Sequence, residues 1–431
     1  KTAGDWISVN ESNIQPAFEG YDQDSLDGAK LIKYRSIEDR DGQYFQLVLD
    51  RTTFYPEGGG EVGDTGYLEF GAEKIEVTDM IKENDLPIHI TKKLPIEKTS
   101  PVKTQIDGGR RRLIENNHSA THLLHAALRD VLGDHVQQRG SLLDEHYLRF
   151  DFSHFSKVSP EELRRIEDIV NEKIREDIQR KEDRGISIKV AEQAGARMLF
   201  GEKYGEKVRM ITFDPAYSIE LCGGCHVPTT GRIGFFKITS ESAVAAGVRR
   251  IEAVTAKAAE DFVHDQTQLL TSIRNELKNP MDVVKAIRDL QIENKELRQQ
   301  LEEAEIQKAS GLKKTLLQNA ESINGIKFIA AEVPISDQKL LKTLIYQVGQ
   351  ELGDASFILF GAKTEGKPQL MLYISEDLVK SRKLHAGTII KELARFINGG
   401  GGGQPFFATA GGTSPDGLAE AIQNAKGYIE I

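Results

Sequence analysis

Only two cysteines occur among 431 residues, and both lie in one short stretch, Cys222-Gly223-Gly224-Cys225. So close a pair is no disulfide framework. It suits metal or redox chemistry, and the expectation that follows is a reducing compartment, the cytoplasm. No run of 18 or more apolar residues occurs, so no segment is expected to span a membrane. Basic residues are outnumbered, 56 against 66, for a formal net charge of −10. That balance excludes a protein coated for non-specific nucleic-acid binding, while clusters such as Arg110-Arg111-Arg112 and Arg249-Arg250 can still carry local phosphate contacts or simply face solvent. An attached c-type haem, which Cys222-Gly-Gly-Cys225-His226 also fits, needs export, and no signal-like apolar stretch opens the sequence. The first residue is Lys rather than Met, and the expectation is a processed chain or a piece of a longer one.

What is present is concentrated in two stretches. In Asn117-His118-Ser119-Ala120-Thr121-His122-Leu123-Leu124-His125 two histidines stand four residues apart. The periodic run Leu113, Leu123, Leu124, Ala127, Leu128 and the stop at Gly133 predict a helix, which puts His118 and His122 on one face. Ser119 follows where a zinc peptidase would need its Glu base, so the peptidase reading is weak. In the second stretch Cys222 and His226 are again four apart, with paired glycines that predict a tight loop. Together the two offer one thiolate and three imidazoles, a sensible four-coordinate zinc set. A lone HxxxH is more often an ordinary helix; the second soft-ligand pair, in a chain so poor in cysteine, favours the metal. His125 is read as packing against the ligands.

The length allows about three domains, each with its own core. Tyr44 to Asp50, Ile75-Glu-Val-Thr and Ile88-His-Ile-Thr read as strands between Gly, Pro and Asn-Asp signals, and predict a small β-barrel of about 90 residues. Ser159-Pro160-Glu161-Glu162 is a capping box that starts a helix. Val283, Ile287, Leu290, Asn294, Leu297, Leu301 and Ala304 form a heptad seam with Asn294 at an a position, for a coil between chains or a hairpin within one. From Gly325, strands at Ile326, Ser356 and Leu370 alternate with helical patterns. Gly399 to Gly403 read as a linker by composition, or as a loop of backbone N–H groups able to hold an anion. The expected fold is α+β and multidomain: a β-barrel part over 1–105, a zinc-binding α/β domain over 106–256, a coiled-coil-like segment over 257–324 and an α/β domain over 325–431.

The two histidine stretches, with Gln137-Gln138-Arg139-Gly140-Ser141 and Leu148-Arg-Phe-Asp-Phe-Ser-His154, resemble the editing domain of the alanyl-tRNA synthetase family. Phe54-Tyr-Pro-Glu-Gly-Gly-Gly-Glu61-Val-Gly-Asp64 resembles it too. There are two departures: Cys225 stands where the family usually has Thr, and Glu61 where it commonly has Gln. The resemblance implies one Zn2+ per chain on His118, His122, Cys222 and His226, and a pocket glutamine at Gln138. The implied activity is hydrolysis of the ester linking serine or glycine to alanine tRNA. A single pocket discriminates poorly against those two by size alone. A contact of Thr52 or Thr53 with the serine hydroxyl is expected to add selectivity. The Gly-rich end resembles the family's C-terminal domain, shared with a phosphoesterase superfamily. It implies tRNA holding at Gly400, Gly401 and Gly402, with Arg249 and Arg250 as further contacts, and a homodimer through the helical and C-terminal parts. The resemblance runs from about residue 40 to the end. It leaves out the family's aminoacylation half, to which ATP would belong; no class II motif or ATP-cradling loop is legible. The alternatives are a free-standing editing hydrolase and a non-catalytic tRNA-binding or dimerisation module with structural zinc.

Overall fold

The structure, a computed structural model, describes residues 2–10, 15–40, 42–198, 204–364 and 366–430. It divides into two compact units, Lys1–Ser272 and Ile273–Ile431.

The first unit opens with a nine-stranded antiparallel sheet. Its hydrogen-bonded path runs Thr2–Ala3, Leu31–Asp39, Gly42–Leu49, Leu86–Thr91, Glu73–Glu83, Gly66–Phe70, Val102–Ile106, Ser25–Ala29, with Ile7–Ser8 also on Leu31–Asp39. Alternation along these strands sends Leu47, Leu49, Leu68, Ile75 and Val77 into one core. The expected barrel is not closed among the described residues. Leu31–Asp39 bonds Gly42–Leu49 on one side, and on the other the N-terminal pieces Thr2–Ala3 and Ile7–Ser8 occupy the edge that a closing strand would need. Those pieces are two residues each, too short to show a pattern in the sequence.

Helix α1 (Gly108–Leu132) follows, capped by the Asp107 side chain, which accepts from the Arg110 N–H, and stopped at Gly133 with φ 111°. Arg111, 1% exposed, ties α1 to the sheet. Its guanidinium pairs with Asp64 and donates to Gly20 O at 2.8 Å and Thr53 O at 3.1 Å. Buried faces of α1 and of α2 (Pro160–Arg175), which starts on the Ser159/Glu162 capping box, share a core with a four-stranded sheet. That sheet runs Gln138–Leu143, Leu148–Ser153, Val248–Thr255, Phe236–Ala245. A three-stranded sheet, Lys181–Ser187, Lys207–Phe213, Ser218–Leu221, brings the chain to Cys222.

In the second unit a six-stranded sheet runs Glu321–Ile323, Ile326–Glu332, Ser356–Thr364, Lys367–Ile374, Phe407–Gly411, Gly400–Gly403. Both its faces are covered: Phe357 and Leu359 point to one core with Ile389, Ile390 and Leu393, while Ile358 and Phe360 point to another with Leu341, Leu344 and Val348. The glycine run is therefore neither linker nor free loop. Gly400–Gly403 is an edge strand paired with Phe407–Gly411. Its glycines answer a close approach: a Cβ at Gly401 would lie 2.4 Å from Thr409 O, and one at Gly403 2.4 Å from Phe407 O. The long helix Val283–Gln318 carries the heptad seam, and Ile287, Leu290, Leu297 and Leu301 are 41% to 62% exposed on it. Only towards its end do Ala309 and Leu316 enter the core.

Candidate metal centre

One turn of α1 separates His118 from His122, and both are 4% exposed. Cys222 leaves the strand Ser218–Leu221 directly opposite them. Its loop is held by its carbonyls: Arg209 Nη1 donates to Cys222 O at 2.9 Å and Gly224 O at 2.6 Å, and Tyr21 Oη donates to Gly223 O. The Arg209 guanidinium also lies 3.9 Å from the centre of the Tyr21 ring. Glycine at 224 is required, because a Cβ there would come within 2.1 Å of His118 Cε1.

One ligand atom from each of His118, His122, Cys222 and His226 lies within 4.8 Å of the others. His118 Nε2 is 3.3 Å and His226 Nε2 3.2 Å from Cys222 Sγ. Their other nitrogens are engaged outward, His118 Nδ1 with Glu61 Oε2 at 2.5 Å and His226 Nδ1 with Ser119 Oγ at 3.0 Å. Buried His122 Nδ1 has no partner among the described residues. Loss of water raises the Cys222 thiol, but His118 and His122 outweigh that and bring its pKa down to about 5. Burial lowers His118, and the Cys222 thiolate and Glu61 outweigh it, so that its pKa rises to about 10. One thiolate and three imidazoles, their ligand atoms converging within 4.8 Å, fit a tetrahedral zinc ion. Cys225 stays outside the four: it is 2% exposed, and burial pushes its thiol well above the ordinary range.

Three of the four donors, His118, His122 and Cys222, stand at the wall of a cavity of about 440 Å³, which Gln138, Ser141, Thr121, Glu220 and Tyr21 also line. Gln138 Nε2 donates to Ser141 Oγ at 3.2 Å. Thr121 donates back along its helix to Asn117 O at 2.8 Å. Glu220 is buried beside His125, Nδ1 to Oε1 at 3.1 Å; burial raises its carboxyl, but His122 and His125 prevail and hold it at about 2.

The family model described as "Threonyl and Alanyl tRNA synthetase second additional domain" matches residues 208–252, the strand and loop that carry Cys222 and His226. "DHHA1 domain" matches 325–430, and "tRNA synthetases class II (A)" matches 4–110. Alanine–tRNA ligase of Cytophaga hutchinsonii is 49% identical over 99% of this chain and 48% of its own length. That of Christiangramia forsetii is 50% identical over 100% of this chain and 49% of its own. The chain belongs to the alanyl-tRNA synthetase family. It spans about half the length of the curated relatives it matches. A solved C-Ala domain from Aquifex aeolicus alanyl-tRNA synthetase is similar over 26% of this chain and 99% of that one, at 19% identity and a TM-score of 0.25, too slight to argue from. The resemblance legible from about residue 40 thus extends back to residue 4, over a segment with no legible class II motif.

Of the synthetase-like residues singled out in the sequence, the structure brings His118, His122, Cys222 and His226 into one cluster, and the first three of these line one cavity with Gln138. Thr52 and Thr53 are not among those that line it. Both are fully buried, with Thr52 Oγ1 2.8 Å from His89 Nε2 and Thr53 Oγ1 2.9 Å from Thr104 Oγ1. Arg249 and Arg250 lie on Val248–Thr255 and are paired, Arg249 with Glu241 at 2.5 Å and Arg250 with Asp151 at 2.6 Å and 2.7 Å. Gly400, Gly401 and Gly402 belong to the second unit. Thr121, Glu220, Tyr21 and Arg209 were not legible as site residues. The Ser-Ile-Glu-Leu-Cys run does place Glu220 two residues before a ligand, a signal that could have found it.

Proposed function

We propose that this chain is the editing part of an alanine–tRNA ligase, joined to a unit that helps hold the tRNA. The reaction is hydrolysis of the ester between serine or glycine and the 3′ adenosine of alanine tRNA. Water adds to the acyl carbon, the acyl–oxygen bond breaks, and free amino acid and a 3′-hydroxyl result. The observation that carries this reading is the convergence of four soft and borderline donors, three of which line a cavity shared with Gln138. His118, His122, Cys222 and His226 would hold zinc, which when bound supplies positive charge to orient the aminoacyl group or to activate water.

The chain's own groups do the rest. The Gln138 amide, steadied by Ser141, positions the ester end. The Thr121 hydroxyl, already in the cavity wall, takes over the contact with the serine hydroxyl for which Thr52 and Thr53 are too far inside. Alanine would leave that partner unpaired, at about 1–3 kcal/mol. Residues 1–105 and 106–256 form the editing part, 257–324 the helical connection, and 325–431 the tRNA-holding domain, whose edge strand Gly400–Gly403 offers backbone N–H groups to phosphates. The exposed seam of Val283–Gln318 would pair with a second copy. Ligation and its ATP belong to the part of the relatives outside this chain. The test is release of serine from mischarged alanine tRNA without ATP. Wild type should release it and His122→Ala should lose both zinc and activity; zinc-loaded wild type without hydrolysis would leave a non-catalytic module.

A further inference from the structure

Glu61 lies in the loop between Arg51–Thr52 and Gly66–Phe70, 57 residues before His118 and 164 before Cys225, yet one of its oxygens meets both. It ends a tight turn in which Gly58 and Glu61 exchange two backbone hydrogen bonds of 3.0 Å, and the turn is fastened to Leu143 by a further bridge. The side chain is 1% exposed. Glu61 Oε2 lies 2.5 Å from His118 Nδ1 and accepts the Cys225 N–H at 2.9 Å. Nothing larger than glycine fits at the junction: a Cβ at Gly224 would lie 2.4 Å from the same oxygen.

We propose that Glu61 is the positioning residue of the metal centre: its carboxylate fixes the His118 proton on Nδ1, so that Nε2 faces the ion, and anchors the ligand loop through the Cys225 N–H. A neutral imidazole carries one proton, and an acceptor-only partner at Nδ1 decides where it sits. A carboxylate does this more firmly than an amide, which can also turn its donor end to the ring. Its charge, added to that of the Cys222 thiolate, balances a divalent cation in a buried site. The loop anchor matters as much. Cys222 and His226 flank Gly224 and Cys225, so a slip there would displace two of the four donors together.

The inference rests on the reading of the four donors as a metal centre, and the experiment separates the two. Zinc dissociation constants are measured on the full chain by competition with a chromophoric chelator, for wild type, Glu61→Gln and Glu61→Ala, and the visible spectrum of the Co2+-loaded forms is recorded. Glu61→Ala should bind zinc about 10- to 100-fold more weakly and alter the cobalt bands. Glu61→Gln, which keeps an acceptor oxygen and the shape but drops the charge, should fall between and keeps the test open if the alanine variant does not fold. Unchanged zinc constants and cobalt spectra in the variants, with only a lowered Tm, would overturn the inference and reduce Glu61 to packing. Wild type that binds no zinc would overturn the metal reading, and this inference with it.

Discussion

Cys222 and Cys225 differ by their surroundings, not by their chemistry. Beside Cys222 stand two imidazoles that hold its thiol down to about 5; around Cys225 burial dominates and keeps the proton on. Metal analysis should therefore find zinc lost in Cys222→Ala and kept in Cys225→Ala, and the reverse result would contradict the ligand assignment. His89 makes a second residue-scale prediction. Burial lowers its pKa to about 4, with Thr52 at one ring nitrogen and Leu47 O at the other. The unfolded chain takes up this proton more readily, so the contribution of His89 to stability is full above pH 6.5 and declines as pH falls towards 4, by up to about 3 kcal/mol. Urea unfolding of His89→Gln should lack that part of the pH dependence; identical profiles would refute it. The same contact turns Thr52 inward, away from the cavity lining. Its position before a Gly-rich turn marks a cavity nearby, but which way a strand residue faces depends on partners such as His89, distant in sequence.

At the scale of elements, legibility follows the range of the interactions. Helix α1 could be read because its apolar spacing, its histidine spacing and its stop at Gly133 are all local. The capping box of α2 was legible for the same reason. The open sheet was not, since one of its edges is settled by two-residue strands. Glu61 could be marked only as an unusual residue, because its meaning lies in a meeting with His118 and Cys225 that folding alone creates. The glycine run misled because composition says flexible, where the cause is backbone crowding. That cause is testable within four residues. Gly401→Ala should destabilise the chain by roughly 1–3 kcal/mol, since its Cβ meets Thr409 O, whereas Gly400→Ala, with open space around it, should be near neutral. Thermal unfolding distinguishes them, and equal effects would speak against crowding.

For the molecule as a whole, the proposed function asks an acidic chain of net charge −10 to recognise a polyanion, which would require its phosphate contacts to be local. If the second unit supplies some of them, a chain ending at Ser272 should bind alanine tRNA more weakly than the full chain and with a shallower dependence on salt. Equal affinities and equal slopes would remove that unit from tRNA holding. Selectivity at the cavity is read from the ratio of deacylation rates of seryl- and alanyl-tRNA by the zinc-loaded full chain, without ATP, for wild type and Gln138→Ala. Wild type should cleave seryl-tRNA about 10- to 100-fold faster than alanyl-tRNA, and Gln138→Ala should cleave it more slowly at unchanged zinc content. Alanyl-tRNA cleaved as fast as seryl-tRNA would contradict the proposed selectivity.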